Sequence, residues 1–247
     1  ALQRNEIVVE LVKALSASDS TGQDEGLQWF RSRLAEAIGH AGQVLDLNGN
    51  SAPIDTLMAI ATNPQEALRV RATALRAVTQ LNWNPQVNLP LVLHETMKLV
   101  LEVANSNNAV VTQNINLAAA NAKANQAALA ANLKSKPAPF VPVELPAALC
   151  HLNLDVYFCF QPETPAEKDL KLGLLNQATR TGLNQNAPLV DAAYKMALPV
   201  INHVQGNKKT PAPVPNATVT AIDAWLKANS PADRKVTPVS PNPLPNP

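Results

Sequence analysis

Aromatic side chains are scarce in this chain, at 4% of 247 residues. The 46% of hydrophobic positions are filled mainly by Ala, Leu and Val, a mixture that favours helices packed closely at small side chains. Glycine is also sparse, with eight residues, and no glycine-rich phosphate loop is present, so tight backbone cradles for a cofactor are not expected. Charged residues make up 16%, against about 25% in an average globular domain. The net charge is +1, and residues 1–136 hold eleven basic and eleven acidic side chains, so no basic field points to a nucleic-acid partner. No apolar run approaches the roughly 18 residues of a transmembrane segment. A nucleophile elbow and a paired-carboxylate motif are absent as well.

Asparagine and proline are plentiful instead, and proline divides the chain. Only Pro53, Pro64, Pro85 and Pro90 precede residue 137, whereas seventeen prolines follow it. An interior proline costs a helix about 3 kcal/mol, so long helices belong to residues 1–136. The early prolines sit where helices begin. Asn63 caps ahead of Pro64 with Glu66 at the third position, Ser51 caps with Asp55 in the first turn, and Asn88 caps ahead of Leu89 and Pro90. Periodicity predicts helices over 4–16, 24–46, 52–62, 65–82, 89–105 and 108–134. The last is rich in Ala and Asn, with an apolar stripe of Val111, Ile115, Ala118, Ala122 and Leu129. Residues 137–230 form a proline-punctuated helical region. It opens with an extended connector, "KSKPAPFVPVELP". "AALCHLNLDVYFCF" follows, readable as a buried helix or as a helix running into a strand. Next come a helix capped by Thr164 and running to Leu183, another kinked or broken at Pro199, and a short last helix, "TAIDAWLKAN". Residues 231–247 form an extended proline-rich tail.

A shift of forty residues aligns Phe30-Arg31 with Val70-Arg71, Leu34-Ala35 with Ala74-Leu75, and Ala37-Ile38 with Ala77-Val78. A further forty residues reach Val110-Val111, Ile115 and Leu117-Ala118, without the arginine. A helix pair recurring at this period is the mark of an α-solenoid. "VRATALRAVTQL" resembles the second helix of a HEAT repeat, and "APIDTLMAIATNP" resembles its first helix and turn. The resemblance spans residues 4–134 and is clearest over 52–82. It implies an all-α solenoid of about three helical hairpins, acting as a non-catalytic binding scaffold. On this reading Leu75, Val78 and Leu81 face Ile54, Leu57 and Ile60 between hairpins.

"CHLNLDVYFC" is the stretch closest to chemistry. Eight residues separate Cys150 from Cys159, whereas zinc sites place paired cysteines two to four apart. Adjacent Cys150 and His151 point about 100° apart on a helix, so a nucleophile pair needs a distant histidine. Two readings of the cysteines remain: buried apolar residues, or a disulfide that requires a turn near Asn153–Asp155. His94 is expected to be partly exposed and His40 solvated. Arg69, Arg71 and Arg76 are expected to form solvated pairs with Glu66 on one helix face. Asn216-Ala217-Thr218 is a formal glycosylation sequon. No cofactor and no metal are expected.

The leading expectation is therefore a scaffold that binds other protein subunits of an assembly. The alternatives are an enzyme using a Cys/His site around Cys150–Cys159 and a carrier of an apolar ligand between helices. Val236, Val239 and Leu244 are the tail's apolar anchors, spaced to insert into pockets on a neighbouring subunit or on the chain's own helices. The charge-poor, Asn-, Thr- and Pro-rich composition favours export to the periplasm or outside the cell, without excluding the cytoplasm, and Ala1 reads equally as a trimmed start or as a mature N-terminus.

Overall fold

The computed structural model describes residues 2–18, 24–130, 143–170 and 172–245. Every regular element among them is helical: α1 (Leu2–Ala17), α2 (Glu25–Ala41), α3 (Ala52–Thr62), α4 (Leu68–Gln80), α5 (Leu89–Ala130), α6 (Ala147–Phe160), α7 (Pro165–Asp169), α8 (Leu174–Gln177), α9 (Ala187–Gly206) and α10 (Asn216–Ala228). A 3-10 turn at Asn184–Asn186 precedes α9. Most of the connector and the end of the tail, residues 131–142 and 246–247, lie outside the described residues.

The helices pack in two rows. In one, α1 lies on α3, α3 on α5 and α5 on α10; in the other, α2 lies on α4, α4 on α6 and α6 on α9. Cross-contacts join α1 to α2, α3 to α4, α5 to α6 and α10 to α9, and α5 also packs on α9 across the rows. Gly39 permits the close approach of α2 to α4, because a Cβ there would stand 2.9 Å from both Cα and Cβ of Ala77. Leu75, Val78 and Leu81 are fully buried, as are Ile54 and Leu57, with Ile60 nearly so. One apolar core runs from Leu15 through Phe160 to Leu244. The boundaries at 136 and 230 thus mark changes in composition, while the core crosses both.

Several elements differ from their sequence reading, each for a local reason. The helix read from 65 starts at Leu68, because Asn63 closes α3 and Glu66 turns inward to Arg31. The helix read to 46 stops at Ala41, where Gly42 takes a left-handed φ of 70°. The two helices read over 89–105 and 108–134 are one, about 60 Å long at 1.5 Å per residue. Asn107 and Asn108, which could have broken it, spend their amides on a crossing segment instead of their own backbone. The third hairpin of the sequence reading is therefore absent, and α5 packs on α6, α9 and α10 instead. The helix read from Thr164 to Leu183 begins with the expected capping box but breaks after α7. Gly173, at φ 83°, sits against the Phe160 backbone and donates its N–H to Thr79 O. Pro199 does not interrupt α9, since it lies on the exposed face, where water can satisfy the carbonyl it frees.

Candidate protein-binding surface

The two arginines aligned by the forty-residue shift have matching surroundings. Arg31 donates from Nη1 to Leu15 O in the last turns of α1 (3.1 Å), and from Nε and Nη2 to the Glu66 carboxylate (3.2 and 2.6 Å). Arg71 donates from Nε to Ala61 O in the last turn of α3 (3.1 Å), and from both terminal nitrogens to the Glu102 carboxylate (2.9 Å each). Each guanidinium ties the end of one helix to a carboxylate further along the chain. Bidentate geometry of this kind is specific to arginine. Arg31 and Glu66 are almost wholly buried, which corrects the expected solvated face. Arg76 reaches away to α6 instead. It pairs with Asp155 and Glu163 and stacks over the Phe158 ring at 4.9 Å. Burial, countered by Arg76 and Thr73, still raises the Asp155 carboxyl above its ordinary range.

Asparagine explains how the proline-rich segments are held. Asn114 forms a two-way pair with the Val143 backbone: its Nδ2 donates to Val143 O (2.9 Å) and its Oδ1 accepts from Val143 N (2.8 Å). Asn108 accepts from Val214 N at 2.7 Å, and Asn107 donates to Ala212 O at 2.8 Å. Asn88 caps α5 through Oδ1, its Nδ2 donates to Asp233 O and Lys235 O, and its backbone N–H donates to Val236 O. Prolines deprive an extended segment of donors, and an amide can both supply and accept what that segment has left.

The tail lies on the chain's own helices. Val236 is 1% exposed and Leu244 is 9% exposed, and both belong to the main core, whereas Val239 remains 49% exposed. Leu244 N donates to Arg234 O, and Ser240 Oγ donates to Asp55 Oδ1. Glu95 on α5 anchors the start of the tail. It accepts from Arg234 (3.2 Å) and Lys98 (2.9 Å), with His94 Nδ1 at 3.4 Å. Burial alone would raise its pKa. The His94 hydrogen bond, then Lys98 and Arg234, outweigh burial and hold the carboxyl at about 2. His94 is itself buried, not partly exposed as its sequence position suggested. His40 is exposed, as expected.

Large apolar side chains remain exposed on the first two helices. Trp29, Phe30 and Ile7, on α2 and α1, are 52%, 45% and 59% exposed. Arg33 lies over the Trp29 ring at 5.6 Å, a cation–π contact. Asp24 starts α2 by accepting from the backbone N–H groups of Gly26 and Leu27, which places Trp29 and Phe30 in its second turn. An adjacent Trp-Phe pair in so aromatic-poor a chain was the available signal, and periodicity alone did not expose it.

The cysteine stretch is a continuous helix, α6, with no turn at Asn153–Asp155. Nine residues at 1.5 Å put the two cysteines about 13 Å apart along it, beyond the roughly 7 Å Cα separation a disulfide allows. Both are free. Burial, then the Asp155 charge, push the Cys159 thiol strongly up, so it stays protonated. Cys150 is half-buried and His151 exposed. Among the described residues no cluster of His, Cys, Asp or Glu could hold a metal ion, and no helix is long and apolar enough to cross a membrane. No protein-family model, no curated protein and no solved structure matches this sequence.

Proposed function

We propose that this protein is a non-catalytic scaffold, a HEAT-like α-solenoid that binds other protein subunits of a larger assembly. The observation that carries the reading is the matching pair of arginine clamps, forty residues apart, at Arg31 and Arg71. Matching contacts at repeat spacing are what successive solenoid units make, and the two helical rows follow the same logic. Solenoids bind through extended faces, and exposed aromatic residues are enriched at interface hot spots, so Trp29 and Phe30 are the proposed contact. The charge-poor, Asn- and Pro-rich composition supports export as part of this proposal.

The test is to place a photo-crosslinking phenylalanine analogue at position 29 or at the exposed control Lys227, in the native host. The reading expects adducts to one or a few proteins at 29 and none at 227. Trp29→Ala with Phe30→Ala should abolish assembly while leaving the helical circular dichroism unchanged. Equal cross-linking at both positions, with the fold intact, would overturn the proposal. Cys150→Ser with Cys159→Ser should leave partner recovery intact; a folded double variant that loses all activity would favour an enzyme.

A further inference from the structure

The two ends of the helical stack are unlike. At one end, among the described residues, α9 and α10 carry no exposed large apolar side chain. Their surfaces hold the ion pairs Asp191–Lys195 and Asp223–Lys227 instead. A polar outer face of this kind closes a stack of repeats. At the other end, α1 packs on α3 and α2 on α4. Gly39 of α2 turns toward α4, against Ala77. Ala37, two residues earlier, points about 200° away from Gly39, and Phe30, a further seven residues back, lies on the side of Ala37. Forty residues on, the matching Val70 and Ala77 are 0% and 1% exposed, with α2 against Ala77. Phe30 is 45% exposed and Ala37 half-buried, so the face that α4 gives to a helix is open on α2.

On α1, Val8 and Leu15 are fully buried, while Ile7, Leu11 and Ala14 line a shallow groove open to solvent. Glu6 and Lys13, seven residues apart, share one edge of that groove and put opposite charges toward its two ends. Lys13 reaches Glu10 on its own helix at 2.7 Å, but both side chains are solvated and such a pair exchanges readily. A second α1 laid in the reverse direction sets each Lys13 beside the other's Glu6 and Ile7 against Ala14. The polar α9–α10 end offers no apolar complement, so head-to-tail stacking is disfavoured. A face that complements itself closes at two copies. We propose that two copies of this chain join through their α1–α2 faces, with the two α1 helices reversed, as a closed dimer. This rests on the scaffold reading and names the subunit that meets Phe30 as a second copy.

The full chain is followed by sedimentation equilibrium over a range of concentrations, and a monomer–dimer equilibrium is expected. Ile7→Glu, at a position 59% exposed, should keep the helical circular dichroism and weaken the dimer by about a hundredfold. Glu6→Lys and Lys13→Glu should each weaken it by about tenfold, and the two together should restore it, as only reversed pairing of one patch allows. A chain monomeric at every concentration, growth without limit, a dimer indifferent to Ile7→Glu, or no restoration in the double variant overturns the inference. A monomer whose position 29 cross-links a different protein overturns it alone and leaves the scaffold reading standing. A monomer with no adduct at position 29 sinks both.

Discussion

The two halves of α5 share one unbroken helix and nothing else. From Leu89 to Val103 eleven of fifteen residues are buried, and Leu, Val and Met predominate. From Ile115 to Ala127 no residue is buried, and Ala and Asn predominate. The proximal half is a helix because its neighbours require one. The distal half depends on alanine, the best helix former, against the mild cost of each asparagine. Helical periodicity reports local geometry, and it is silent about whether anything packs on the stripe it reveals.

The largest expected effect tests the buried half. Leu93 is fully buried, so Leu93→Ala should lose about 2–5 kcal/mol in a urea titration. A loss below about 1 kcal/mol would erase the contrast between the halves. The next concerns Glu95. Its folded pKa of about 2 lies below the ordinary 4.5, so its contribution is complete above pH 4.5 and is lost as pH falls toward 2. The full contribution is about 3 kcal/mol, and the stability gap between the native protein and Glu95→Gln should shrink over that pH interval. Asp155 acts in the opposite sense, because its raised pKa makes protonation favour the folded state. A gap that stays constant with pH would show that Glu95 does not hold the tail by charge.

At the junction of the halves, Asn114→Ala removes both bonds to Val143 and should cost about 1 kcal/mol, visible also as faster amide exchange at Val143. The smallest effect belongs to the distal half. Ile115 is 63% exposed, so Ile115→Ala should change stability by no more than about 0.5 kcal/mol. A larger loss would mean that the exposed stripe is covered in solution.

The sequence made the all-α class legible, because caps such as Asn88 and Thr164 and the apolar stripes of α3 and α4 are local signals. The core positions Leu75, Val78 and Leu81 followed from the same periodicity. The packing of α5 on α6, α9 and α10 was not legible, since a proline-rich connector separates α5 from them and packing across it leaves no local mark. The roles of Arg31 and Arg71 were half legible. Their spacing was visible, but their carboxylate partners lie 35 and 31 residues away. Val236 and Leu244 stood out as apolar anchors, whereas the surface they enter depends on Asn88 and Glu95, which look ordinary in their own segment.

The contacts of Asn88 carry a consequence for the order of assembly during synthesis. Its amide waits for the carbonyl of Asp233, 145 residues downstream. At about 5–20 residues per second, that stretch takes roughly 7–30 s to emerge. For that interval the start of α5 has its own Oδ1 cap and no tail across it, while α3 and α4 are already available to pack. The N-terminal units can therefore settle first, and the last residues made fasten a helix that began forming long before them.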